Sequence, residues 1–398
     1  MDRFPPIQRK GFAAAGTCLL ACALVLAGCG EKTVTSVNQP QPTPLTGTVI
    51  INSEPDSLDG AWLLTGPSGF VLAGGADTTL TGMATGEYSI AWEAVGDWSP
   101  PLAQQMRLSG GGVLSFQGVY TEEALFEEMK FGAEATLEIL TWNIEHFPKS
   151  GQVTVDLVAR AVLAMDADIL ALQEIESSSS FGELDVKLAG WTGVRAGSSA
   201  YNINLAFLYR ESGDWIVDSV GEIFTALDRE FPRPPYVMEG RFKGTPVVII
   251  NNHFKCCGDN YIDEEPWDEE TRRRDAGLVL DEYVRNNYVG RKVVIVGDLN
   301  DSLTDSPANN VFNMFLNDPA TWRFVDLEIA QGSPSGWSFP GWPSHLDHIL
   351  ITAPLFAAWE APAAEVGVVP LDQGLGGGWN EYDTLVSDHL PVALKLIP

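Results

Sequence analysis

A series of short apolar runs dominates the chain from Leu137 onward, and most of these runs end in a polar or acidic residue. They are LEILTWN, DILALQE, LAFLYR, PVVIINNH, KVVIVGDLND, HILI and VALKLI. Apolar runs of this length, rich in β-branched residues, are typical of strands that a sheet buries on both faces. The chain must therefore cover both sides of each sheet that it forms here.

Helical segments between these runs can supply that cover. In VTVDLVARAVLAM, residues Val155, Val158, Val162 and Met165 recur at helical spacing. A charged segment at about residues 269–287 predicts a second helix. We therefore predict an α+β domain over residues 136–398, in which two packed β-sheets are flanked by helices.

Residues 45–121 have a different sequence pattern. Short runs of alternating apolar and polar residues, such as GTVIINS, AWLLTG, EYSIAWEAV and VLSFQGVY, are separated by turn residues. This rhythm predicts a small β-sandwich domain in front of the large one. The segment loosely resembles the PEGA-type surface domain, for which a spacer role or a surface partner is expected. Residues 122–135 are expected to be a linker, and the acidic stretch 121–135 is expected to be helical.

The first 28 residues have the features of a secretory signal: basic residues, an apolar run, and then small residues. The end of this segment, Leu-Ala-Gly-Cys, resembles the bacterial lipobox, in which Cys29 is lipidated and becomes the mature N-terminus. An ordinary cleaved signal is the alternative. Residues 29–44, polar and proline-rich, are expected to be a flexible tether. The predicted location is the bacterial cell envelope, lipid-anchored and facing the periplasm or the exterior.

The chain is strongly acidic, with a formal net charge of −29. Net charge alone therefore offers no attraction to a polyanion such as nucleic acid. A phosphate substrate is still compatible with this charge, because bound divalent cations can reverse the local field.

Polar residues recur where the predicted strands of the large domain end, so their side chains can meet in one cleft. In chain order they are Asn143, Glu174, His253, Asp298, Asn300, Asp347, Asp388 and His389. The motifs that carry them, TWNIEHF, LQEIE, NNHFK, VGDLND, HLDHIL and SDHLPV, occur in the order of the endonuclease/exonuclease/phosphatase superfamily. Residues 136–398 resemble this superfamily, which implies the four-layer fold of deoxyribonuclease I and hydrolysis of phosphoester bonds.

The resemblance implies a divalent metal cofactor. Glu174 is then the main ligand, and Asn143 and Asp388 contribute through the metal or through its waters. Hard oxygen ligands of this kind suit Mg²⁺, which usually takes one or two carboxylates and keeps several waters. Mn²⁺ and Ca²⁺ are the alternatives.

The resemblance also implies the groups that act on the phosphate. Asp298 and Asn300 orient the attacking water and the phosphate, and His253 contacts the phosphate from the opposite side. Asp347 holds the imidazole of His389, which serves as the acid/base or phosphate-stabilising group.

Two further positions bear on phosphate binding. FPRPPYVMEGRF resembles the segment that supplies a phosphate-contacting arginine in deoxyribonuclease-like members, here Arg233. An arginine beside turn-forming prolines is an equally open reading. The glutamate that partners the phosphate-side histidine in deoxyribonuclease I is replaced here by Ile203, so His253 is expected to lack a carboxylate partner.

The loops around these motifs carry weaker signals. Cys256 and Cys257 are predicted to shape their loop, whether oxidised or not, and to take no part in catalysis. The acidic run DNYIDEEPWDEE is predicted to be a solvated loop that begins a helix rather than a Ca²⁺ loop. The tryptophans of GWSFPGWPSHLDH are expected to pack against a sheet edge, with base stacking as the alternative. His146 and His345 are expected to be loop residues.

The function that these observations predict is metal-dependent phosphoester hydrolysis outside the cytoplasm, with nucleic acid as the foremost substrate. Inositol phosphate or sphingomyelin types of small or lipid phosphoester are alternatives, because one scaffold hosts many substrates. A catalytically inactive surface-binding lipoprotein is a hypothesis of a different class.

Overall fold

A computed structural model of the chain describes residues 45–56, 58–95, 98–122, 125–199, 201–211, 214–263 and 265–398. The predicted signal segment, Cys29 and the predicted tether lie outside the described residues. The chain divides into two compact units, Met1–Glu122 and Glu123–Pro398. Within the described ranges, no helix is long and apolar enough to cross a membrane.

The first unit is built from β-strands, as the alternating sequence pattern predicted. Its strands are β1 (Thr46–Glu54), β2 (Trp62–Gly66), β3 (Phe70–Gly74), β4 (Thr78–Ala84), β5 (Gly86–Trp92), β6 (Trp98–Ser99), β7 (Gln104–Leu108), β8 (Val113–Val119) and β9 (Thr121–Glu122). They form sheets in the orders β4-β1-β8, β3-β2-β5-β7 and β6-β9. Apolar side chains of the two larger sheets, such as Ile51, Phe116, Leu64 and Ile90, share one core.

The second unit contains the remaining strands and the helices. Its strands are β10 (Leu137–Phe147), β11 (Ile169–Ile175), β12 (Trp191–Arg195), β13 (Asn204–Arg210), β14 (Trp215–Glu222), β15 (Tyr236–Phe242), β16 (Thr245–His253), β17 (Val293–Asp298), β18 (Trp322–Phe324), β19 (Asp347–Thr352), β20 (Glu365–Val368) and β21 (Val392–Leu396). Its helices are α1 (Gln152–Met165), α2 (Ser178–Lys187), α3 (Glu269–Asn287), α4 (Asn313–Leu316), α5 (Leu327–Ala330), α6 (Phe356–Trp359) and α7 (Trp379–Leu385).

Two six-stranded sheets form the middle of this unit, in the orders β12-β13-β11-β10-β21-β20 and β14-β15-β16-β17-β19-β18. Side chains from both sheets share one core between them. Helices α1, α2 and α7 cover the first sheet, and α3 and α4 cover the second. This four-layer α+β arrangement confirms the predicted fold class.

Strand β10 shows why the sequence requires four layers. Leu137 and Ile139 point into the core between the sheets, whereas Leu140 and Trp142 point toward the helices. Each face of the strand is apolar, so each face needs a packed layer against it. Burial of four such side chains is worth about 1.5–3 kcal/mol each.

The acidic stretch between the units does not form the expected helix. Residues 125–128 are a turn, and the following residues up to the start of β10 contain no helix. Phe126 and Met129 are buried in the core that lies beside α1. Their burial requires this segment to follow the surface of the large unit, and this contact overrides its local helical preference.

Candidate functional site

Three strand termini of the second sheet place polar side chains in a row. His253 ends β16, Asp298 ends β17, and Asp347 begins β19. The register pairs His253 with Asp298 across the parallel strands and Asp298 with Asp347 across the antiparallel ones. All three residues are buried. Strand pairing therefore assembles this part of the site from residues distant in sequence.

The first sheet contributes Asn143 from β10 and Glu174 from the parallel neighbour β11. The Nδ2 of Asn143 lies 3.3 Å from Glu174 Oε1 and 3.0 Å from Asp298 Oδ2. The other oxygen of Glu174 accepts from the backbone N–H of His146 at 2.9 Å. Asn143 thus connects the polar ends of the two sheets.

Asp388 and His389 reach the same place from the turn before β21. Ser387 Oγ donates to the carbonyl of Asn143 at 2.7 Å and accepts from the N–H of His389 at 3.0 Å. Tyr382 donates its hydroxyl to the carbonyl of His389 at 2.7 Å. These bonds fix the turn to β10.

The residues surround an open cleft of about 770 Å³. Those predicted site residues that line the cleft are Asn143, Glu174, His253, Asp298, Asn300, Asp388 and His389. Asp347 lies behind His389 and is fully buried. Arg233 is also buried and is not among the lining residues; its Nη1 donates to the carbonyl of Phe254 at 3.2 Å.

His389 is held by Asp347, whose Oδ2 lies 2.7 Å from its Nδ1. Burial lowers the pKa of His389, but the neighbouring Asp347 and Asp298 carboxylates outweigh burial and raise this pKa to about 10. The ring is therefore charged at neutral pH. Its Nε2 lies 3.8 Å from Asp298 Oδ2 and 3.9 Å from Asp388 Oδ1.

His253 has the opposite character. Burial, reinforced by the positive charges of Arg233 and His389, holds its pKa well below the ordinary value. Its Nε2 lies 3.5 Å from Asp298 Oδ2, and its Nδ1 has no hydrogen-bond partner among the described residues. The unpartnered Nδ1 agrees with the expected absence of a carboxylate at Ile203. Because its pKa is lowered, His253 is a neutral imidazole at neutral pH.

The carboxylates of the cleft repel one another. Burial raises the pKa of Asp298 to about 7, and burial with the nearby Glu145 and Glu174 raises that of Asp388 to about 6. Such an excess of negative charge suits a divalent cation, and Glu174 with Asp388 offers the one or two carboxylates that Mg²⁺ takes. Asn143 turns its Oδ1 toward the N–H of Glu145 at 3.0 Å and its Nδ2 toward the carboxylates, so it orients them.

Left-handed backbone conformations occur at the ends of these strands. Glu174 has φ 62° and Asn300 has φ 54°. Gly297, just before Asp298, has φ 148°, and a Cβ there would lie 2.0 Å from the carbonyl of Asn252. A glycine is therefore required at the position that delivers Asp298 to the cleft.

Sequence reasoning missed a buried network behind the site. Asp326 Oδ2 accepts from His348 Nδ1 at 2.6 Å and from His345 Nε2 at 3.1 Å. His348 Nε2 donates to the carbonyl of Asp301 at 2.9 Å, which fixes the residue that follows Asn300. The groups satisfy one another, so this cluster forms a hydrogen-bonded support and not an open metal site. A second histidine in HLDH was the only local signal for it.

Several loop expectations need correction. His345 is buried in this network. His146 lies within β10, and its ring contacts Glu176 Oε1 at 2.7 Å. Asp268 caps α3 as the acidic run predicted, but Glu270 is fully buried, because Arg273 lies 3.1 Å from it. Trp342 lines the cleft with 78% of its surface exposed, so it is not packed against a sheet edge.

Comparison with known proteins adds a sequence match. The sequence model described as "Endonuclease/Exonuclease/phosphatase family" matches residues 140–389, a range that spans the cleft from β10 to His389. No protein of curated function matches the chain significantly.

Solved structures similar to the chain include three that differ in source. Zebrafish (D. rerio) TDP2 complexed with single strand DNA product is 14% identical, with coverage of 66% of this chain and 99% of that one and a TM-score of 0.49. The human Nocturnin catalytic domain with bound sulfate is 17% identical, with coverage of 67% of this chain and 96% of that one and a TM-score of 0.48. An endonuclease/exonuclease/phosphatase from Bacteroides vulgatus is 16% identical, with coverage of 66% of this chain and 99% of that one and a TM-score of 0.46.

The Asp326–His348 pair is expected to stabilise the fold in a pH-dependent way. Its histidine has a raised pKa and its carboxylate a lowered one. The stabilisation is therefore fully present below the ordinary histidine pKa of 6.5 and is lost as pH rises through the raised value. On the acid side it is lost as pH falls below 3.8, the ordinary aspartate value, toward the lowered one. Asp326→Asn should lower the free energy of unfolding by about 3–5 kcal/mol near pH 5.5, with a smaller loss near pH 9.

Urea unfolding at both pH values measures this difference. Asp318→Asn is the matched control, because its carboxylate pairs with Arg285 on the surface at 2.7 Å. The control should show little change at either pH. An Asp326→Asn protein as stable as the unmodified chain near pH 5.5 would contradict the supporting role of the network.

Proposed function

Because the chain belongs to the endonuclease/exonuclease/phosphatase family, we propose that it is a metal-dependent hydrolase of phosphodiesters or phosphomonoesters at the bacterial cell envelope. The observation that carries this proposal is the meeting of strand ends from both sheets in one cleft. There Asp298 lies within 4 Å of Asn143, His253 and His389. Membership of the family supports an enzyme of the phosphoester-hydrolysing class. The metal, the substrate and the location are proposals.

The proposed metal site is formed by Glu174 and Asp388, with Asn143 orienting Glu174. Mg²⁺ is the first candidate, and Mn²⁺ and Ca²⁺ are alternatives. When bound, the ion neutralises charge on the phosphoryl oxygens and on the leaving oxygen.

Asp298 and Asn300 act on the nucleophile and the phosphate. The buried Asp298 carboxylate accepts the proton of the attacking water, a role that its raised pKa of about 7 suits at neutral pH. The N–H of Asn300 donates to Asp298 Oδ1 at 3.0 Å, which directs the other oxygen, Oδ2, toward Asn143 and the two histidines. The Asn300 side chain is then placed to bind a phosphoryl oxygen.

The two histidines act from opposite sides of Asp298. The charged His389, held by Asp347, stabilises negative charge on the phosphoryl group and protonates the leaving oxygen. The neutral His253 supplies one hydrogen bond to the phosphate. Arg233 acts from behind through its charge, because its side chain does not line the cleft.

The assigned roles predict a large loss of turnover when either central group is replaced. We expect Asp298→Asn and His389→Gln each to lower kcat by about 10²–10⁴-fold, the usual contribution of a positioned acid or base. Hydrolysis of bis(4-nitrophenyl) phosphate with titrated Mg²⁺ or Mn²⁺ measures this loss. Glu174→Gln should instead raise the metal concentration needed for half-maximal rate.

Asp318→Asn, remote from the cleft, is the control for these variants, and circular dichroism checks their folding. Full activity in folded Asp298→Asn and His389→Gln proteins would refute the site. No hydrolysis by the unmodified chain on a broad phosphoester panel would favour an inactive surface-binding protein, with the β-sandwich unit engaging a partner.

Nucleic acid is the first candidate substrate, and a small or lipid phosphoester is the second. One observation favours the second. The lining of the cleft includes the carboxylates Glu174, Asp298, Asp301, Asp305 and Asp388. Among the described residues that line it, Arg273 is the only arginine or lysine. Arg273 is buried and bound to Asp301 and Glu270. A polyanion would therefore find few free cations along this lining.

This charge distribution predicts a weak dependence of turnover on salt. We expect kcat/KM for a dinucleotide to equal or exceed that for a long single strand. The slope of log kcat/KM against log salt should be about −1 or shallower between about 50 and 200 mM. Parallel assays of both substrates test this, and a steep slope with strong preference for the long strand would favour a nuclease of long chains.

The proposed envelope location rests on the leader sequence and on Cys29. We expect the protein to incorporate labelled palmitate in a bacterial host and to sediment with membranes. Cys29→Ala should abolish both, with Cys22→Ala as the control. Membrane association without any label would indicate another means of attachment.

A further inference from the structure

Two adjacent cysteines form part of the cleft wall. Cys256 is half-buried and Cys257 is exposed, and both line the cleft beside His253 and Asn300. Their Sγ atoms lie 3.0 Å apart, and both thiols are free. The reaction assigned to the cleft uses neither thiol.

The backbone around the pair is held by a buried arginine. Arg273 Nη1 donates to the carbonyl of Lys255 at 2.8 Å and to that of Cys257 at 2.6 Å. The same guanidinium binds Asp301 Oδ2 through Nε at 2.8 Å. Asp301 follows Asn300 directly, so one side chain connects the backbone of the cysteines to the segment that carries Asn300.

A second connection runs through Phe254. Its carbonyl accepts from Asn300 Nδ2 at 3.3 Å and from Arg233 Nη1 at 3.2 Å. Phe254 stands between His253 and Lys255 in the chain. A change in the backbone at the cysteines therefore reaches a phosphate-binding residue by two short routes.

We propose that Cys256 and Cys257 are a reversible modification site, at which a disulfide-class oxidant closes a vicinal disulfide that lowers turnover in the cleft. The effect on turnover rests on the proposed function, whereas the thiol chemistry does not.

The positions of the two thiols define the order of reaction. Lys255 Nζ donates a hydrogen bond to Cys256 Sγ at 3.7 Å, so Cys256 is the thiol that lies beside a cation. The hydrogen bond to Cys256, with burial, raises the pKa of Cys257. Cys256 thus attacks one sulfur of the oxidant RSSR and releases the first RSH. Cys257 then loses its proton and attacks Cys256 Sγ, which releases the second RSH, so two protons and two electrons leave the protein.

Ring closure must move the backbone. A disulfide needs sulfurs about 2.05 Å apart, roughly an ångström closer than they lie here. Side-chain rotation can bring the sulfurs closer, but in an eight-membered ring the peptide between the cysteines and its neighbours must adjust with it. The carbonyls bound by Arg273 belong to these neighbours, so their hydrogen bonds weaken and the support of Asn300 weakens with them.

Oxidised glutathione is the probe for this site. After treatment, maleimide alkylation and mass analysis of the peptide that carries Cys256 and Cys257 should show that its two reactive thiols become none without a glutathione adduct. Dithiothreitol should restore both. Turnover of bis(4-nitrophenyl) phosphate should fall about fivefold or more and recover with reductant. Hydrogen exchange in a peptide that spans residues 299–302 should become faster on oxidation.

Three variants are the controls. Cys256→Ser and Cys257→Ser should each retain a single thiol in this peptide and form at most a glutathione adduct. The double serine variant should keep the basal turnover, and neither oxidised glutathione nor dithiothreitol should change it. Two alkylatable thiols, or adducts on both, in the treated unmodified protein would overturn the modification site.

A closed disulfide with unchanged turnover and exchange would overturn the coupling to the cleft. Inactivity of the fully reduced protein would count against the proposed function alone, because the mass and exchange measurements still decide this inference.

Discussion

The hydrogen bond from Asn143 Nδ2 to Asp298 Oδ2 is the interaction on which the cleft depends. It joins the end of a strand in one sheet to the end of a strand in the other, at the polar edge of the core that both sheets share. Because its acceptor is a buried carboxylate, this bond is stronger than a neutral one, at about 1.5–3 kcal/mol. It also fixes the position of the strand ends of the first sheet relative to those of the second. The distances of Glu174 and His389 from Asp298 depend on it, whereas the pairing of β16 with β17 places His253 beside Asp298.

Burial has opposite consequences for the titratable groups around this bond. It keeps His253 neutral and raises the pKa of Asp298, since each charged form loses its hydration. His389 stays charged because the carboxylates of Asp347, which contacts it directly, and of Asp298 outweigh its burial. Asp347 contacts His389 from behind the cleft and has no such contact with His253, so it contributes to the difference in charge between the two histidines.

Much of the fold and many of the cleft residues were predictable from the sequence, because strand runs and helix periodicity are local signals. The predicted helix at about residues 269–287 is α3, and the strand-end motifs place seven residues in the cleft. The failures have non-local causes. Phe126 draws a helix-like segment into the core, and Glu270 is buried because Arg273 reaches it. The support from Asp326 comes from a residue whose surrounding sequence has no distinguishing pattern.

Strand β10 opens the large unit, yet its hydrogen-bonded neighbours include β21, with Leu137 opposite Leu396 and Thr141 opposite Val392. This pairing closes a loop of about 250 residues. Contacts between residues so distant in sequence form slowly, and the first sheet is incomplete until this one has formed. Asp388 and His389 arrive with the same strand. A nascent chain can therefore complete neither its central sheet nor its cleft until almost all of the large unit has been synthesised. The order of the strands alone therefore excludes a complete cleft in any chain that still lacks its last strand.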